Sequence, residues 1–78
     1  MKFKRVENFD IFVPGSYGKD IQGNWMICFL DGRLGNLKLH KVIENKDGTI
    51  TVTPSILVRD GKNPDIHGFL EHGIWRDC

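Results

Sequence analysis

Apolar and polar residues alternate with a period of two through much of this chain, and an apolar period of 3.6 never persists for three turns. The pattern predicts strands and little or no helix. Residues 36–43 (NLKLHKVI) place Leu37 and Leu39 on one side and Lys38 and His40 on the other. Residues 49–53 (TITVT) keep the rhythm, with Ile50 and Val52 inward and threonines outward. Residues 25–30 (WMICFL) are apolar throughout, which predicts a central strand covered by the core on one face and by a loop on the other. Shorter strands are expected over residues 2–6 and 10–13, the second ended by Pro14, which lacks an N–H donor.

Turn chemistry separates these runs. Asp31-Gly32 and Asp47-Gly48 mark tight connections, because glycine supplies positive φ where a hairpin needs it. Pro54-Ser55 predicts a break or bulge ahead of residues 56–58, and a last hairpin over residues 66–70 and 74–76 turns at Glu71-His72-Gly73. Residues 14–23 read as a long Gly-rich, charged loop. No crossover is long enough to favour parallel strands. The expected fold is therefore all-β, a small antiparallel meander of five to seven strands closing into a compact barrel or sandwich. Trp25, Ile27, Phe29, Leu37, Leu39, Ile50, Val52, Leu57 and Phe69 are its expected core.

Length and charge narrow the picture. The 78 residues allow a single β-rich domain over residues 1–78, burying roughly 60–65% of its unfolded surface, so the core is thin. Eleven Lys and Arg against ten Asp and Glu leave a net charge of +1, without the basic excess from which nucleic-acid binders draw affinity. No run approaches the length of a membrane span. MKFKRVENFD carries no readable export signal, and two cysteines are too few for a disulfide scaffold, so a cytoplasmic location is expected.

The chemistry-bearing residues are few. A structural zinc needs about four thiolates or imidazoles, and Cys28, His40, His67 and Cys78 could supply them. Their separations of 11, 26 and 10 residues form no CxxC knuckle. Cys28 lies among Met26, Ile27, Phe29 and Leu30, where a cysteine also serves as a small buried hydrophobe. One structural zinc and plain packing both remain open. A Ser55–His67–Asp65 triad can be written, but His67 and Asp65 are two residues apart on one strand face, which is not the arrangement of a base between nucleophile and orienter. Neither G-x-x-x-x-G-K-[ST] nor G-x-S-x-G occurs, and no catalysis is expected. Trp75 and Arg76 are candidate interface anchors, as are Phe3 and Arg5 in the basic N-terminal cluster. Trp75 could equally serve as a lid on the core.

The segment PSILVRDG…HGFLEHGIW..C resembles a poorly characterised family of small proteins frequent in phages and their bacterial hosts. The resemblance runs from about Trp25 to Cys78. It is carried by Asp47-Gly48-Thr49, the run from Pro54 to Arg59, His67, Phe69, Gly73, Trp75 and Cys78. It implies a metal site at Cys28, His40, His67 and Cys78. The chain departs from the pattern where Asp65 and Ile66 stand in place of a cysteine and Phe29-Leu30-Asp31 in place of a Cys cluster. The family's own role is unknown and implies no activity. The expectation is a phage- or prophage-type accessory protein, a non-catalytic protein-interaction module whose partner is a host or phage protein. The alternative is a small β-barrel that binds single-stranded nucleic acid.

Overall fold

Eight strands form two four-stranded sheets in the computed structural model, which describes residues 1–10 and 12–78. The first sheet is β1 (Lys4–Arg5), β2 (Ser16–Lys19), β3 (Trp25–Cys28) and β4 (Leu34–Asn36), in that order. The second is β5 (Lys41–Glu44), β6 (Ile50–Val58), β7 (Ile66–Glu71) and β8 (Ile74–Asp77), an antiparallel meander. The described residues contain no helix. The all-β expectation holds, as a sandwich whose two sheets face each other rather than as a closed barrel.

The chain changes sheets at residues 37–40. The Asn36 side chain accepts from the Lys38 N–H (2.8 Å) and the His40 N–H donates to the Leu37 carbonyl (3.0 Å), a side-chain-primed turn. The single strand expected over residues 36–43 is thus split. Leu37 drops into the core, while Leu39 sits on the turn at 92% exposure and leaves the expected core list. The N-terminal segment closes a second seam. Phe3 N–H donates to Gly73 (2.8 Å) and Trp75 N–H to Met1 (2.7 Å), around a Lys2–Ile74 bridge.

Three further expectations are corrected. β1 and β2 pair in parallel, Lys4 with Ser16 and Arg5 with Tyr17, because the connecting segment folds back over the outer face of the sheet. β2 lies inside the segment expected to be a loop. Ser16 and Gly18 gave it no alternation, yet Tyr17 is fully buried there. No strand forms at Asp10, Phe12 or Val13, and Ile11 lies outside the described residues.

Each sheet contributes to one core: Phe3, Tyr17, Ile27, Phe29 and Leu37 from the first half, Ile50, Val52, Ile56, Leu70 and Trp75 from the second. Burying each such side chain is worth about 1.5–3 kcal/mol. Pro54 stands mid-strand where a central strand excludes proline, and the ladder bulges there as anticipated. Val52 pairs with Leu70 and Ile56 with Gly68, so Thr53, Pro54 and Ser55 together oppose Phe69. Two extra residues preserve the alternation, which buries Ile56 and leaves Leu57 at 48% exposure, contrary to the expected core. The last hairpin turns at His72 (φ 48°) and Gly73 (φ 75°), two consecutive positive-φ positions that match the twist of the flanking strands.

The centre of the first sheet, β2 and β3, is covered on both faces, as the unbroken apolar run predicted. Ile27 faces the core, and its neighbour Cys28 is buried on the opposite side. A Cβ on Gly18 would strike the Val6 carbonyl, the Phe9 N–H donates to Lys19 (3.3 Å), and the Ser16 hydroxyl donates to Val13. These contacts lay the connection after β1 across that outer face.

Candidate functional site

The two sheets do not meet evenly along their rims. Between the β3–β4 loop and the ends of β7 and β8 they leave a cleft of about 480 Å³, within the size range of ligand sites. Its floor is aromatic. Phe3 stacks on Trp75 with ring centroids 6.1 Å apart, and Phe29 meets Trp75 edge-on at 5.3 Å. Such pairs favour offset or perpendicular contact because each ring has a negative face and a positive edge. Leu30, at 55% exposure, and Ile66 form apolar walls.

The rim is charged. Asp77 accepts from the Trp75 indole N–H (2.8 Å), which fixes the ring that forms the floor. Arg76 leans away, its guanidinium 5.3 Å from the Phe69 ring centroid and bonded to Glu71 (2.6 Å). Asp31 accepts the Arg33 backbone N–H (3.0 Å) and the Arg33 Nε–H (2.7 Å). The backbone bond from Arg33 leads in holding the Asp31 carboxyl below the usual carboxylate range.

Three of the four interface residues expected from sequence therefore converge on this cleft. Phe3 and Trp75 do so as its floor, at 3% and 7% exposure, and not as free surface anchors. Arg76 borders the rim, but its guanidinium is turned to Phe69 and Glu71. Arg5 lies elsewhere, 5.2 Å above the Trp25 ring and bonded to the Gly48 carbonyl (2.8 Å) and Glu44 (3.1 Å). Lys19 also packs on Trp25, at 5.1 Å, so two cations leave that indole half-buried.

The four candidate metal ligands are divided between the sheets. Cys28 is buried in β3, paired with Ser16 and Leu34, and burial pushes its thiol up. His40 and His67 both reach Ser55 at the β6 bulge. His40 Nε2 donates to the Ser55 carbonyl (3.1 Å), leaving its buried Nδ1 without a partner, while His67 Nε2 lies 3.0 Å from the Ser55 hydroxyl. Cys78 follows β8 on the exposed side, its N–H bonded to the His67 carbonyl (2.9 Å). Among the described residues no three Cys, His, Asp or Glu side chains are grouped to hold a metal ion. Ser55 and His67 do meet, but Asp65 is engaged by Arg59 (3.1 Å), so the histidine gains no orienting carboxylate from it.

Sequence reasoning missed Phe29, Leu30, Asp31, Arg33 and Ile66 as parts of a site. Nothing local marks them, since the cleft exists only where a loop of one sheet faces a strand end of the other. No helix among the described residues is long and apolar enough to cross a membrane. No family model, curated protein or solved structure matches the chain.

Proposed function

We propose that this chain is a protein-interaction module, of the phage- or prophage-type accessory class, that receives apolar side chains of a host or phage protein in the Phe3–Phe29–Trp75 cleft. One observation carries the reading: an open, aromatic-floored hollow with the exposed Leu30 side chain on its wall. Aromatic and Arg side chains clustered around a pocket are the usual anchors of protein recognition. The class assignment is supported only by the resemblance of the β6–β8 segment to the small phage and bacterial proteins. The site requires no catalytic group and no cofactor.

The test is a displayed-peptide selection against the wild-type protein, counter-selected with Leu30→Asp, which places a charge on the cleft wall. Peptides with aromatic or large aliphatic residues that bind wild type and not the variant are the expected result. Peptides indifferent to Leu30→Asp would remove the cleft from the account. A second reading, binding of single-stranded nucleic acid, is favoured by the Arg5–Trp25–Lys19 stack alone. Micromolar, salt-dependent binding of oligonucleotides that is lost in Trp25→Ala would establish it in place of the first.

A further inference from the structure

We infer that Arg33 is a clasp that sets the opening of the cleft. The inference rests on the cleft being the recognition surface and names what holds it in shape. The two sides of the cleft are secured differently. At the Trp75 side, the Trp75 N–H donates to Met1 and the Phe3 N–H to Gly73, which fastens the N-terminal segment to β8 and the turn before it. At the other side, the β3–β4 loop carrying Leu30 and Asp31 faces the segment that leads into Ile66. Among the described residues no backbone hydrogen bond joins them. Their polar link is one side chain: Arg33 Nη2 donates to the Pro64 carbonyl (2.6 Å), and Nη1 lies 3.5 Å from Asp60.

Both halves of the clasp are pre-shaped. Asp31 accepts the Arg33 Nε–H (2.7 Å) and the Arg33 backbone N–H (3.0 Å), which holds side chain and main chain together, and the Arg33 side chain is only 16% exposed. Across the gap, Asp60 accepts the N–H groups of Lys62 and Asn63 (both 2.9 Å), and Arg59 pairs with Asp65 at the loop's base. A planar guanidinium with several donors can serve a carboxylate and a carbonyl at once, which an ammonium on a flexible stem does less well. Removing it leaves, among the described residues, no hydrogen bond or ion pair between the two loops.

The experiment uses the full chain in a Trp25→Phe background, so that Trp75 on the cleft floor is the only indole. Arg33→Met keeps the apolar stem and removes the donors. It is expected to raise acrylamide quenching of Trp75 by about twofold or more and to speed amide exchange at residues 30–33 and 60–66, as a local opening does. Arg33→Lys should fall between the two. Unchanged quenching and exchange in a cooperatively folding Arg33→Met protein would overturn the inference. If Arg33→Met does not fold, Asp60→Asn weakens the same link from outside the cleft and must show the same local change, or the inference fails. No partner is present in any arm, so failure of the peptide selection and failure of the clasp are separate results.

Discussion

The two sheets of this molecule solve the same problem in opposite ways. The first has strands of 2, 4, 4 and 3 residues and hides both faces of its inner strands β2 and β3, one against the core and one beneath the connection after β1. The second has strands of 4, 9, 6 and 4 residues and hides one face only. Its outer face carries Leu57, exposed His67 and Phe69 half-covered by Arg76. Short strands hold few ladder bonds, so the first sheet depends on side-chain burial on both sides. The second depends on register. The cleft lies where these two constructions meet and cannot match edge to edge.

The sharpest way to break that contrast is to truncate one apolar side chain in each sheet, buried Ile27 in the first and half-exposed Leu57 in the second. Ile27→Ala in the doubly covered β3 is expected to cost about 2–5 kcal/mol, and Leu57→Ala on the outer face of β6 less than about 1 kcal/mol. Urea unfolding midpoints give both values. Equal costs would mean that the second sheet is also covered on its outer face.

The cover over the first sheet can be lifted separately. Gly18→Ala drives a methyl group into the Val6 carbonyl and should displace the overlying segment, at a cost of about 1–3 kcal/mol. Cys28, protected in the wild-type protein, should then react with a thiol reagent at a rate approaching that of exposed Cys78. A Cys28 that stays protected while stability is lost would place the strain elsewhere.

Acid acts on the loops that join the strands. Hydrogen bonds from backbone N–H groups lead in holding Asp31 and Asp60 below the ordinary carboxylate range, whereas the Thr49 hydroxyl leads at Asp47. A carboxyl whose folded pKa is depressed contributes stability that is complete above its unfolded pKa, about 4, and that is lost as pH falls from there toward the folded value. Urea midpoints should therefore fall as the pH drops below about 4, and fall less in Asp60→Asn. An identical acid response in that variant would show that Asp60 is not among the groups responsible.

The smallest effects concern single exposed positions. His72→Gly relieves a positive φ at a non-glycine residue and should change stability by no more than about 1 kcal/mol, in the stabilising direction. Cys78→Ser should be neutral within about 0.5 kcal/mol, and the purified protein should carry no stoichiometric zinc. Elemental analysis showing one zinc per chain, with a large loss in Cys78→Ser, would restore the ligand set read from the sequence.

What the sequence made legible follows the same division. Much of the second sheet was readable because one-sided burial writes itself as alternation: Ile50 and Val52 inward, the Asp47-Gly48 and His72-Gly73 turns, the Pro54 bulge; Leu57 and Phe69, expected in the core, lie on its outer face instead. In the first sheet, β3 was readable as doubly covered, but β2 was not, since Ser16 and Gly18 are buried for their smallness and show no hydrophobic signal. Leu39 misled because its alternation with Leu37 is real in the sequence and is cut by the turn that Asn36 primes. For the site, Trp75, Phe3 and Arg76 were singled out as anchors, but their meeting with Leu30 and Ile66 depends on how the sheets face each other, which no local pattern encodes.

The central claim is that the cleft accepts apolar groups, and a titration with indole followed by amide and side-chain NMR shifts tests it without knowledge of the partner. A fragment of this size should bind weakly, with Kd on the order of millimolar, about −4 kcal/mol. Saturable shifts concentrated at Phe3, Leu30, Ile66 and the Trp75 indole are the expected result. Shifts that do not saturate, or that centre on Lys4, Tyr17 and Thr49 around the separate hollow beside β1, would contradict it.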